Sequence, residues 1–361
     1  MVTSAAESIL IVHLAGIGDL LMGRLALEQL RQACPRSRIV LLTWTRNLEA
    51  AALIPSVSEC CGLELGGWGA TLVRNLKTAL QLRSQRFDLA LNGYQVYRQA
   101  GVVKLALLLG VIRARDSAGR DTDGKGWCFA QRVRERFQDP LHEVERQSRF
   151  VEALGCQPVL GPAPLSIPMA DQHAADVWLT HQGLTGGTPF AALHPGGARP
   201  GHRWPAASFA RVAQGLQERG LRVVITGGAG EQELAQTVAK PLRQPAIATG
   251  QLSFGQLAHL LRRSRLFITN DSGPMHLAAS LKVPLVAIFG PGDPNRYGPY
   301  PLDRPDQIVV HAIGDPICFR AACKGHQPLR HLPVEPVLEA VNAILNSEHP
   351  SGIRSIASPG A

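Results

Sequence analysis

Long apolar runs are missing from this sequence. The longest, Leu105–Ile112, falls well short of the roughly 20 residues that a membrane-crossing helix needs, so no span is expected. A basic leader is missing as well. Residues 1–8 carry no Lys or Arg, and the apolar run Ile9–Leu14 leads into a glycine turn and Asp19 rather than a small-residue cleavage site. No export signal is visible, and a cytoplasmic protein is expected. The seven cysteines include no C-x-x-C pair and no even framework, which points to reduced thiols rather than disulfides. No Gly-Lys-Ser/Thr follows any glycine turn, and no G-x-G-x-x-G occurs, so ATPase and dehydrogenase readings lose support. Basic residues are scattered without aromatic interleaving or a reader motif, which argues against nucleic acid. Low-complexity tracts are absent too, and with 45% apolar and 18% charged residues a folded chain is favoured over disorder.

What is present is length, positive charge and a repeated pattern. The 361 residues suit two domains of about 150 residues each, with a cleft between them. Lys plus Arg exceed Asp plus Glu, 37 to 28, which favours an acidic partner: a phosphorylated small molecule, an anionic membrane surface or nucleic acid.

Apolar strand-like runs alternate with helical patterns in both halves. In the first, Ile9–Leu14, Arg38–Thr43 and Phe87–Asn92 read as strands, and Asp19–Ala33 as a helix behind the turn at residues 15–18. A proline-rich stretch, Pro158–Pro168, the helical Ala170–Gln182 and the pair Gly186 and Gly187 mark the passage between domains, with a boundary near residue 185. The second half restarts with strands Phe190–His194, Leu221–Thr226, Leu266–Thr269 and Leu285–Phe289, separated by helices Pro205–Glu218, Phe254–Arg263 and Pro274–Leu281. The expected architecture is α/β, two Rossmann-like domains: 1–184, 185–346, and a loose tail at 347–361.

Three turns of the second half follow strands and open helices. At residues 269–279, free N–H groups at Ser272 and Gly273 beside a helix dipole suit a phosphate; Asp271 or Ser272 serving only as a helix cap is the competing explanation. His276 lies early in that helix and could donate to a phosphate or a ribose, or be structural. At Leu193–Pro205, the glycines Gly196 and Gly197 combine with Arg199, His202 and Arg203, whose guanidinium groups pair with phosphates. At Thr226–Glu231 a third turn leaves Glu231 able to accept from ribose hydroxyls, or simply to complement the helix dipole. In the first half, Gly16, Gly18 and Asp19 put a carboxylate at the mouth of the first strand, as an N-cap or a general base.

The stretches Gly16–Arg31, His142–Gly155, Leu193–Pro205, Ile225–Ala235 and Asn270–Pro294, in that order, resemble the heptosyltransferases of glycosyltransferase family 9, the ADP-heptose:lipopolysaccharide heptosyltransferase family. The resemblance implies a GT-B fold whose C-terminal domain holds the nucleotide sugar while the N-terminal domain presents the acceptor. It implies inverting transfer of a heptose or related sugar from an ADP-sugar to the lipopolysaccharide inner core or another lipid-linked, phosphorylated saccharide. Asp19 would be the base and Gly16 and Gly18 its turn. Gly196 and Gly197 would line the phosphate region, with Arg203 stabilising the leaving diphosphate. Glu231 would bind the ribose, and Asp271, Ser272, Gly273 and His276 the diphosphate and sugar. No cofactor and no metal are expected, the ADP-sugar being substrate. The protein would work in the cytoplasm, at the inner face of the cytoplasmic membrane, where its positive balance favours contact with anionic lipid.

This sequence departs from close relatives in places. His202 followed by Arg203 stands where they often carry Lys, Gly23 and Arg24 where many have Thr-Pro, and Asn92 where Asp is common. Cys318, Cys323 and His326 resemble the remnant of a cysteine cluster, too few ligands for a structural zinc site. Two alternatives belong beside the transferase: a GT-B sugar-nucleotide epimerase, and a non-catalytic sugar-nucleotide-binding protein.

Overall fold

The computed structural model describes residues 6–66, 69–313, 328–346 and 352–357. The chain divides into two compact units, Met1–Ser166 and Ile167–Ala361.

The first unit holds a parallel sheet of β1 (Ser8–His13), β2 (Arg38–Trp44), β3 (Glu59–Leu63), β4 (Leu89–Asn92), β5 (Asp116–Thr122) and β6 (Gln131–Glu135), in the order β3-β2-β1-β4-β5-β6. The second holds β7 (Phe190–His194), β8 (Arg222–Ile225), β9 (Ala246–Ile247), β10 (Leu266–Asn270), β11 (Leu285–Phe289), β12 (Gln307–Ile313) and β13 (Gly352–Ala357), ordered β13-β12-β11-β10-β7-β8-β9 and again parallel. Each sheet grows outward on both sides of its first strand. The order therefore reverses between β1 and β4 in one and between β7 and β10 in the other. The loops leaving these strands diverge there and open a crevice at their carboxyl ends, the usual ligand position in such sheets.

The central strands are buried on both faces, which is why they read as unbroken apolar runs rather than alternating ones. Every residue of Phe190–His194, Leu266–Asn270 and Leu285–Phe289 is buried. Among the strands that the sequence conceals is a polar one. β5 includes Asp116, Ser117, Gly119, Arg120 and Asp121, yet Arg120 is buried in an ion-paired cluster with Glu135 (2.8 Å) and Glu143. Tertiary pairing overrides the local loop signal.

Three expectations change. The helix expected over Asp19–Ala33 is two helices, Ile17–Met22 and Arg24–Ala33, joined at Gly23. A Cβ at Gly23 would come within 2.7 Å of Gln147 Oε1 on helix Glu143–Ala153, so a larger residue at the join would make that side chain shift. The division between units lies ahead of helix Met169–His181 rather than near residue 185, because that helix docks on the second unit. Ser253 Oγ donates to Asp171 (2.8 Å), Trp178 Nε1 to Gln251 (2.7 Å), and Asp176 receives Arg263 (2.6 Å) and His259 (3.0 Å). Finally, residues 352–357 of the expected tail form β13, pairing along β12 from Ile308 to Ile313. An uncovered β12 would expose a row of N–H and C=O groups, and this added strand satisfies them. Cys318, Cys323 and His326 lie outside the described residues.

Candidate active site

In the second unit, the turns after β7, β8 and β10 are joined by the side chains of Asn270 and Glu231. Asn270, the last residue of β10, is buried; its Nδ2 donates to the carbonyls of Pro195 (2.8 Å) and Gly196 (3.0 Å), and its Oδ1 accepts from Trp204 N (3.0 Å). One amide thus locks the β7 turn to the β10 turn. Trp204, itself buried, sends Nε1 to the Leu332 carbonyl (3.0 Å) and packs edge-on against Phe209, which anchors the far end of the same loop.

Glu231 ties the β7 turn to the β8 turn. Its Oε1 accepts from Gly197 N and its Oε2 from Gly228 N, both at 2.9 Å. A Cβ on Gly196 would stand 2.1 Å from Oε1, so glycine is required there by the carboxylate itself, besides any ligand. Burial works to raise the Glu231 carboxyl, but neighbouring His194, the two N–H donors and Arg203 outweigh it and hold the group ionised below its ordinary range. Each oxygen keeps a further lone pair with which to accept from a hydroxyl.

Arg203 and His202 make separate contacts within the β7 loop and toward the β10 turn. Arg203 Nε donates to Gly197 O (2.8 Å), with Glu231 3.8 Å away, and a third of its side chain is exposed. His202 is buried and its Nδ1 lies 3.3 Å from Asp271 Oδ2. Asp271 is thereby turned toward the β7 loop and toward Gly292 of the β11 turn, where a Cβ would sit 3.0 Å from the same oxygen.

Helix Gly273–Ser280 begins with Gly273 as its first residue and Pro274 as its second, so it starts one place earlier than the sequence suggests. Ser272 is the N-cap residue in extended conformation (φ −158°, ψ 167°), yet no side chain caps the helix; Ser272 Oγ pairs instead with Thr269 Oγ1 at 3.0 Å. The capping explanation therefore loses its hydrogen bond, and the helix offers its positive end to an incoming anion. His276 is buried and lowered to about 4 by burial, against the opposing pull of Asp271. It is a neutral imidazole at neutral pH, able to donate one hydrogen bond without a charge.

In the first unit, Asp19 is the third residue of helix Ile17–Met22, and its Oδ2 accepts from Gly16 N at 3.0 Å. The carboxylate folds back on its own helix start, while Gly16, Gly18 and Asp19 all remain half-buried at the crevice beside β1. Around it are Gln147, His13 and Tyr94, which the sequence reading did not single out, and Asn92, which it did. Gln147 Nε2 approaches the Asp19 carbonyl (3.4 Å). His13, at the end of β1, is buried against Tyr94 with ring centroids 5.3 Å apart, and burial pushes its pKa down to about 4. Burial likewise raises the Tyr94 phenol to about 12, a proton it keeps. Asn92 ends β4 and is buried. His13 could have been found as a polar residue closing an apolar strand beside the order reversal, as Asn92 does on the other side of it. Asn270 had the same signal.

The sequence-predicted residues Gly196, Gly197, Arg203, Glu231, Asp271, Ser272, Gly273 and His276 thus gather on turns β7, β8 and β10 of one unit, and Gly16, Gly18 and Asp19 on the β1 turn of the other. Among the described residues no group of three or more His, Cys, Asp or Glu side chains is arranged to hold a metal, and no helix is long and apolar enough to cross a membrane.

Comparison with known proteins finds relatives along most of the chain. The profile of glycosyltransferase family 9 (heptosyltransferase) matches residues 75–327. Lipooligosaccharide heptosyltransferase 2 of Haemophilus ducreyi is 27% identical, over 93% of this chain and 99% of its own. Among solved structures, a family 9 glycosyl transferase of Veillonella parvula superposes with a TM-score of 0.79 at 25% identity, covering 96% of this chain and 99% of that one. The ADP-heptose lps heptosyltransferase II of E. coli gives 0.74 at 22%, covering 95% and 100%.

Proposed function

The chain belongs to glycosyltransferase family 9 (heptosyltransferase) and has its GT-B fold, and on that premise we propose that it moves a heptose from an ADP-sugar to a lipid-linked, phosphorylated saccharide of the lipopolysaccharide inner core. The observation that carries this reading is the uncapped start of helix Gly273–Ser280, set beside the glycine turns that Glu231 and Asn270 hold together. That arrangement offers main-chain N–H groups to a diphosphate and a carboxylate to a ribose.

In the proposed reaction, the Asp19 carboxylate takes the proton of the acceptor hydroxyl as its oxygen attacks the anomeric carbon. The bond from that carbon to the ADP oxygen breaks on the opposite face, which inverts the centre. Positive charge develops on the sugar ring and negative charge on the departing diphosphate. The helix start and Arg203 stabilise that leaving group, and the neutral His276 can donate to a phosphate or sugar oxygen without attracting a second anion. Asp271, which would repel a phosphate, serves the sugar hydroxyls or the turn. The hydrogen bond from Gly16 N holds the Asp19 carboxylate in place and leaves lone pairs for the incoming hydroxyl. No cofactor or metal enters the scheme. The site of action is the cytoplasmic side of the membrane.

The test is release of ADP from ADP-heptose in the presence and absence of a lipopolysaccharide-precursor acceptor, for wild type and Asp19→Asn. Acceptor-dependent release that Asp19→Asn abolishes, with donor affinity retained, is the expected result. Alteration of the donor sugar without acceptor would replace transfer with epimerisation, and binding without turnover would leave only a binding protein.

A further inference from the structure

Helices Ala70–Ser84 and Gln99–Ile112 make the crossovers from β3 to β4 and from β4 to β5, in the same direction along the sheet, and so lie on one face of it. Both bury their inner sides in one cluster: Ala79 and Leu82 from the first, Leu105 and Ile112 from the second. Outer sides of such helices are normally polar. Here they are aliphatic. Leu72 is 51% exposed, Val73 66%, Leu76 48%, Leu80 49%, and Leu107 on the neighbouring helix 67%. At about 100° per residue, positions 72, 73, 76 and 80 fall on one arc of the first helix. They form a stripe rather than scattered single residues, and a continuous exposed apolar stripe marks an interaction surface.

Its charge says what that surface meets. Neither helix contains Asp or Glu, while Lys77, Arg83 and Lys104 are exposed on them. The nearby Glu64 is engaged by Arg74 at 2.6 Å. A second copy of the chain would bring like-charged rims together, whereas aliphatic side chains bordered by Lys and Arg complement an anionic bilayer. We infer that this face of the first unit is a docking surface for an anionic lipid bilayer, with Leu76, Leu80 and Leu107 entering the acyl boundary and Lys77 and Lys104 lying among headgroup phosphates. The inference rests on the proposal of a lipid-linked acceptor and specifies how the enzyme reaches it.

The experiment is co-sedimentation of the full chain with phosphatidylcholine vesicles, with and without phosphatidylglycerol. Wild type should bind the anionic vesicles and lose them as salt rises. Each basic residue at such a surface contributes roughly a five-fold change in partition, so Lys77→Ala/Lys104→Ala should weaken binding on the order of 25-fold. Leu76→Ser/Leu80→Ser should weaken it on both vesicle types. Circular dichroism melts should match wild type, and turnover of a lipid-free acceptor fragment should be retained in both variants. Equal binding of wild type to both vesicle types, unchanged binding by both variants, or a self-association that Leu76→Ser/Leu80→Ser removes would overturn the inference. Normal transfer to the fragment without vesicle binding would sink the surface and leave the transferase standing. Vesicle binding with the expected variant pattern but no transfer would do the reverse.

Discussion

Gly196 and Glu231 offer a quantitative test of how the donor-side turns are built. Replacing Gly196 with Ala puts a methyl group 2.1 Å from Glu231 Oε1 and 2.4 Å from Oε2, so the carboxylate must leave. In leaving, it gives up the N–H groups of Gly197 and Gly228, each 2.9 Å away. Hydrogen bonds to a charged group contribute about 1.5 kcal/mol each at the low end, the end suited to a side chain 18% exposed. Gly196→Ala should therefore destabilise the second unit by about 3 kcal/mol. Glu231→Ala removes the same two bonds and should cost a similar amount. In the double variant the carboxylate is already gone and the methyl enters vacated space. Its cost should stay near 3 kcal/mol rather than the additive sum of about 6 kcal/mol, a coupling at the upper end of measured neighbour pairs. Urea unfolding of the four proteins, with ADP affinity measured alongside, completes the cycle. Additive losses would refute the argument, because the methyl would then be acting on something other than Glu231.

Arg120 is buried between Glu135 and Glu143, so Arg120→Met should destabilise the first unit by about 3–5 kcal/mol by removing a buried guanidinium from beside Glu143, while Glu135 keeps Arg146 at 3.4 Å, with partial recovery when Glu143→Gln is added; thermal unfolding reads both. His276 is neutral in the fold, with a pKa lowered to about 4. A histidine depressed in this way costs stability as pH falls from its unfolded value of about 6.5 to about 4, because the unfolded chain takes the proton first. The limit is about 3 kcal/mol, so His276→Asn should make the fall in stability across that window shallower, with His13 and the other depressed histidines keeping the rest of the slope. Trp204→Phe deletes the donor to the Leu332 carbonyl inside the core and should cost about 1–3 kcal/mol in urea unfolding, with weakened donor binding as the 198–204 loop loosens.

The sequence by itself determined the α/β alternation, the two-part organisation, and the turns on which the candidate residues stand. Those features are local. Apolar runs of strand length, glycines at strand ends and helical periodicity are set by neighbours a few residues apart. The family motifs likewise occupy continuous stretches. Only the tertiary structure decided the rest. β5 looks like a loop until Arg120 finds Glu135 and Glu143 from other segments. Residues 352–357 look like a tail until β12 supplies a partner with unpaired main-chain groups. Helix Met169–His181 has no marked preference for either side until Asp176 meets His259 and Arg263. The same holds at the site. Gly196 reads as room for a ligand, and it is equally room for Glu231, 35 positions along the chain. Asn270 was one polar residue in a motif, and the fold makes it the clasp between two turns 74 and 75 residues apart in sequence. Sequence distance hides such pairs because their energy comes from desolvated hydrogen bonds and charges that exist only once strands lie side by side.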